Sequence, residues 1–125
     1  MPDEIFEKLK IHLRNRGFED IEIIRYGSTE PARTPINHPF VRLVASVAEK
    51  VYGKKAVIYP TSAGSGPMHL FRNWLNMPVV SAGCSYPEAR VHAPNENLPI
   101  NLFIKGVKFM ATLINDFGSD LSDKL

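Results

Sequence analysis

The sequence predicts an α/β fold, and three observations carry that reading. Apolar residues at helical spacing alternate with short runs rich in β-branched residues, and polar small-residue loops follow two of those runs. Hydrophobic residues make up 44% of the chain and charged residues 22%, the balance of a domain that buries a core rather than of a disordered tail. At 125 residues the chain has the size of one ordinary domain.

Phe6, Leu9 and Leu13 recur at helical spacing with charges between them, so residues 2–16 are expected to form an amphipathic helix stopped by Gly17. Residues 20–26 alternate, with Ile21 and Ile23 set against Glu22 and Arg25, and are expected to form a strand. Pro31, Pro35 and Pro39, with Gly27 and Ser28, then interrupt regular structure. A second helix is expected with Asn37 as its N-cap, with Phe40, Val44, Val47 and Val51 on one face and Gly53 closing it. A short strand over 56–59 leads into the small-residue loop 60–67, and a third helix is expected over 68–76. Residues 78–82 read as another strand, and 83–98 as an irregular loop holding His92, Asn95 and Glu96. The last helix opens at Pro99, carries Phe103, Val107, Met110, Ile114 and Phe117 on one stripe, and is expected to stop at Gly118 before a frayed polar tail over 119–125.

The 15 Lys and Arg exceed the 13 Asp and Glu by a formal +2, with no basic run to follow a phosphate backbone, so nucleic acid is not an expected partner. Apolar stretches fall far short of the roughly 20 residues that cross a bilayer, and the N-terminus has no basic-then-apolar pattern, so a cytoplasmic protein with no membrane partner is expected. The single cysteine, Cys84, supports neither a disulfide framework nor a Cys-based zinc site, and reads as a small buried hydrophobe.

Two loops can carry chemistry. His92 follows a predicted strand, and a neutral imidazole there can ligate zinc; by spacing alone, a histidine satisfied by local hydrogen bonds is the simpler alternative, because no second ligand stands nearby. Residues 63–66 precede a predicted helix and can offer backbone N–H groups and a hydroxyl to an anion such as a carboxylate, or can simply make a tight turn. The loop lacks the Gly-Lys-Ser/Thr ending of a phosphate-binding P-loop. His12, His38 and His69 read as structural or solvated.

Gly64-Ser65-Gly66-Pro67, the run Pro78-Val79-Val80-Ser81-Ala82-Gly83, His92-Ala93-Pro94-Asn95-Glu96 and the helical Phe103-Ile104-Lys105-Gly106 together resemble the zinc peptidase and aminoacylase family. That family includes acetylornithine deacetylase, succinyl-diaminopimelate desuccinylase, carboxypeptidase G and carnosine dipeptidases. The resemblance implies the C-terminal part of a catalytic α/β domain over 40–125, a linker at 31–39, and the last helix and strand of a lid-like α+β domain over 1–30. It implies His92 as a ligand of one of two zinc or cobalt ions, Gly64 and Ser65 as holders of the substrate carboxylate, and Asn95 and Glu96 as residues that fix the His92 loop. Ala63 stands where many relatives have another glycine.

The family's other histidine, bridging aspartate, paired glutamates and further acidic ligand have no counterpart in this sequence. The resemblance therefore implies a missing N-terminal catalytic half or a complementary chain, with a small peptide or N-acyl amino acid as substrate and no hydrolysis by this chain alone. A non-catalytic interaction module derived from the same fold is the other reading. Both imply exposed apolar surface and self-association, because a sheet cut in half loses its covering neighbours.

Overall fold

Three α-helices carry most of the regular structure in the computed structural model, which describes residues 1–62 and 64–120: α1 at Pro2–Asn15, α2 at Pro39–Tyr52 and α3 at Ile100–Asp120. A π turn at Leu70–Trp74 and a 3₁₀ turn at Pro87–Ala89 lie between α2 and α3 in the chain. Ala63 and the end of the expected tail, 121–125, lie outside the described residues. The chain divides into two compact units: Met1–Arg33 with Ser62–Met77, and Thr34–Thr61 with Pro78–Leu125.

In the first unit, α1 begins on Pro2, which needs no N–H partner there, and has Asp3 and Glu4 in its first turn with His12 and Arg14 in its last, matching the helix dipole. Lys8–Glu4 at 2.6 Å and Lys10–Glu7 at 2.8 Å lie along its surface. Phe6 takes the Lys10 ammonium 4.4 Å and the Arg25 guanidinium 5.1 Å from its ring centroid, and Arg25 also pairs with Asp3 at 2.7 Å. The expected stripe of Phe6, Leu9 and Leu13 is half-covered at best, and α1 buries no residue. The helix expected over 68–76 is a short α turn that widens into the π turn. Arg72 donates to the Arg33 carbonyl at 3.3 Å, and Asn73 donates to Glu30 at 3.2 Å, tying the proline-rich segment to the turn.

The second unit owns the buried core. α2 starts on Pro39 with His38, not Asn37, as its cap: the His38 Nδ1 accepts the Phe40 N–H at 3.1 Å. An imidazole reaches the N2 amide as well as a carboxamide does, and this fixes the helix start one residue later than expected. Gly53 ends the helix at φ +70°, a left-handed conformation that glycine adopts without a Cβ penalty. Val44, Val47 and Phe109 form the buried centre, with Phe40, Leu43, Val51, Tyr52, Val80 and Leu113 packed around it. Phe40 meets Phe117 edge-on at 6.0 Å between ring centroids. Burial, and secondarily Cys84, push the Tyr52 phenol above its ordinary range, and its hydroxyl donates to the Gly83 carbonyl at 3.3 Å.

Of the stripe expected on α3, Phe117 turns toward α2 and the rest does not. Phe109 is 2% exposed and Leu113 is half-buried, whereas Phe103, Val107, Met110 and Ile114 of the expected stripe are exposed, Ile114 at 69%. The helix is apolar on two sides, so periodicity alone cannot choose between them. It also runs through Gly118 to Asp120, because a glycine inside a helix weakens it by about 1 kcal/mol without ending it. Gly106 permits close approach: a Cβ there would meet the Cys84 Sγ at 2.9 Å. Cys84 is half-buried.

None of the expected strands at 20–26, 56–59 and 78–82 forms among the described residues. A strand needs a neighbour's N–H and C=O row, and these segments lie beside no such row. Val79 instead exchanges both its backbone groups with the Thr34 hydroxyl, at 2.7 and 2.8 Å. Val57 and Tyr59 are 74% and 79% exposed.

Candidate functional site

The loop between the 3₁₀ turn and α3 is built by short-range hydrogen bonds around left-handed residues. Ala89, 4% exposed, anchors its start, and its carbonyl accepts the Asn97 N–H at 3.0 Å, which closes the loop. Within it, Ala93 N–H bonds the Arg90 carbonyl at 2.9 Å and Glu96 N–H bonds the Ala93 carbonyl at 3.2 Å. Arg90, His92 and Asn95 take φ values of +54°, +63° and +63°. Asparagine and, less readily, histidine tolerate this region, but arginine adopts it at a cost of about 1–2 kcal/mol. Such conformations persist only where the surroundings over-determine them.

The surroundings are polar. The Glu96 Oε2 accepts the His92 backbone N–H at 3.3 Å, so the carboxylate holds the histidine's main chain. The Asn97 Nδ2 donates to the Asn95 carbonyl at 3.0 Å, and its Oδ1 accepts the Tyr86 hydroxyl. Neither Asn97 nor Tyr86 stood out in the sequence. The signal that could have found Asn97 is a second carboxamide directly after a Pro-Asn-Glu run, a residue type that bonds its own local backbone. His92, Asn95 and Glu96 are all exposed.

Gly64 and Ser65 belong to the other compact unit, so the structure groups His92, Asn95 and Glu96 in one loop and the glycine–serine segment in another. The Gly64 N–H is taken by the Ser62 hydroxyl at 3.2 Å. Gly64 and Ser65 are exposed, and Ala63 lies outside the described residues.

Among the described residues no three His, Cys, Asp or Glu side chains gather to hold an ion. His92 offers an accessible imidazole on a fixed backbone, suited to supply one ligand to a site whose other ligands come from elsewhere.

The family model for peptidase family M20/M25/M40 matches residues 4–116, nearly the whole chain. The chain belongs to this peptidase family. Among solved structures, the crystal structure of an M20 family metallo-carboxypeptidase, Sso-CP2 from Sulfolobus solfataricus, matches with 36% sequence identity and a TM-score of 0.70. The match covers 89% of this chain and 26% of that one, so the chain spans about a quarter of the carboxypeptidase's length. No curated protein matches it. The family match includes the His92 loop, α2 and residues 100–116 of α3. No helix among the described residues is long and apolar enough to cross a membrane.

Proposed function

We propose that this chain corresponds to the C-terminal portion of an M20 metal-dependent hydrolase that cleaves amide bonds of dipeptides or N-acyl amino acids. The observation that carries the reading is the family match through residues 4–116, with the His92 loop inside it. His92 supplies one imidazole to a two-ion centre, zinc or cobalt, completed by ligands from an N-terminal catalytic half or complementary chain. When bound, the ions polarise the scissile carbonyl and lower the pKa of attacking water. The chain's own residues do the positioning: Glu96 and Asn95 fix the loop beneath His92, and Gly64 with Ser65 hold the substrate carboxylate. Residues 1–30 act as the end of a lid-like domain, 31–39 as the linker and 40–125 as the catalytic part. The segments 56–59 and 78–82 become strands once a neighbouring ladder is supplied, and the outer face of α3 is covered at the same time.

Complementation tests this. The remaining three-quarters of the Sulfolobus carboxypeptidase, expressed separately, is mixed with this chain and zinc and assayed on N-acyl amino acids and dipeptides. Expected is chelator-sensitive cleavage by the mixture, absent from either part alone and lost with His92→Ala. No cleavage, together with no His92-dependent zinc binding in calorimetry, would sink it. A second reading has its own observation. The outer face of α3, with Phe103, Val107, Met110 and Ile114 exposed, suits a non-catalytic module that pairs with another protein or with itself. Stable dimers that tolerate His92→Ala and ignore zinc would favour that reading.

A further inference from the structure

The His92 loop poses an accounting problem. Three left-handed residues that are not glycine fall within six positions, at Arg90, His92 and Asn95, and the loop buries only Ala89. Left-handed conformations at Arg90 and, to a lesser degree, His92 oppose the fold. The Glu96 clamp on His92 is one hydrogen bond at 3.3 Å, longer than the usual N–H···O range. The Ala93–Arg90 and Glu96–Ala93 main-chain bonds close turns inside the loop, and its two ends need a further tie.

We propose that Asn97 is the positioning residue of this loop: it locks the backbone conformation that presents His92 and so sets how well His92 serves as a metal ligand. The inference rests on the ligand role proposed for His92. Asn97 bonds three separate parts of the loop at once. Its N–H reaches the carbonyl of buried Ala89 at 3.0 Å, its Nδ2 reaches the Asn95 carbonyl at 3.0 Å, and its Oδ1 receives the Tyr86 hydroxyl. The two ends of the loop and one of its left-handed residues are therefore referred to a single side chain and its main chain. Neither of its two nearest chemical relatives does this at the same reach. Aspartate keeps the acceptor for Tyr86 but turns the donor facing the Asn95 carbonyl into a repelling oxygen, and glutamine moves the amide one methylene too far. Glu96 touches His92 directly and Asn97 does not, so Asn97 acts through the backbone.

The test uses the full chain, isotope-labelled for NMR, with Zn²⁺ alone as the probe. Two readouts are taken at His92: the intraresidue HN–Hα dipolar coupling, read from the NOE build-up and strong only at positive φ, and the Zn²⁺ concentration at half-response of the imidazole ring signals, resolved from those of His12, His38 and His69. In Asn97→Ala the His92 coupling is expected to move to a conformationally averaged value. The zinc midpoint is expected to rise about 10-fold, the low end for residues that orient a ligand. Amide protection in α2 and α3 is expected to stay as it was. Asn97→Asp should give a partial effect on both. If Asn97→Ala unfolds the helix pair, Tyr86→Phe removes only the hydroxyl and should give a smaller shift in the same two readouts. An unchanged His92 coupling in a folded Asn97→Ala or Tyr86→Phe variant would overturn the proposal. If His92 of the unmodified chain ignores Zn²⁺ while its coupling still collapses in Asn97→Ala, the metal-ligand role fails and the positioning role stands.

Discussion

The two compact units of this chain are held by different forces. In the second, α2 and α3 bury Val44, Val47 and Phe109 between them, and the loop beyond adds Ala89. In the first, no described residue is buried, and α1 and the π turn rely on ion pairs, cation contacts and side-chain hydrogen bonds to main chain. Burying an apolar side chain contributes about 1.5–3 kcal/mol, whereas an exposed ion pair contributes about 0–1 kcal/mol. The better-anchored unit is therefore the second, where the His92 loop lies.

The largest expected break is Phe109→Ala. It removes the ring that fills the space between α2 and α3 and should cost about 3–5 kcal/mol in urea unfolding. A loss below 1 kcal/mol would mean that this helix pair is no better packed than α1.

Gly106→Ala is expected to come next. Alanine raises helix propensity by about 1 kcal/mol. Against that gain, the new Cβ meets the Cys84 Sγ at 2.9 Å and Cβ at 3.0 Å, and the overpacking should dominate at about 1–3 kcal/mol. Adding Cys84→Ala should recover part of the loss, since the sulfur is gone and the Cβ contact remains. Stabilisation by Gly106→Ala alone, read from the thermal midpoint, would show that α3 does not need this close approach.

Arg90→Gly should raise stability slightly. It relieves a left-handed φ of +54° at the end of the 3₁₀ turn, and greater chain freedom in the unfolded state offsets part of the gain, leaving a few tenths to about 1 kcal/mol. Destabilisation measured by chemical unfolding would mean that the arginine side chain makes a contact that matters more than its backbone cost. Smallest is Asp3→Ala in the first unit. Asp3 is 83% exposed on its side chain, and loss of its 2.7 Å pair with Arg25 should change stability by under about 1 kcal/mol, and less still at high salt. A larger, salt-insensitive loss would remove the contrast between the units.

Much of the helical framework was legible. Pro2, Gly17 and Gly53 mark helix ends through local backbone chemistry, and both ends of α1 and the close of α2 fall within a residue or two of them, while the cap of α2 is one residue beyond the Asn37 expected. The Val44 and Val47 face of α2 was legible because that helix has one clearly apolar side. The His92–Glu96 run was legible as a candidate site because the residue types capable of chemistry stand close in sequence. Asn97 was not, because its importance comes from partners 8 and 11 residues away, at Ala89 and Tyr86, that only the folded loop brings to it.

Sequence by itself determined both ends of α1 and the close of α2, which residues can bond their own neighbours, and membership of a peptidase family whose match spans His92. Tertiary structure decided the rest. It selected Phe109 and Leu113 over Phe103 and Val107 as the inner side of α3, and it left 20–26, 56–59 and 78–82 without a ladder. The physical reason is range. A cap or a left-handed glycine is settled within one turn of chain, whereas the buried side of a two-sided helix and the pairing of a strand depend on a surface that distant residues provide.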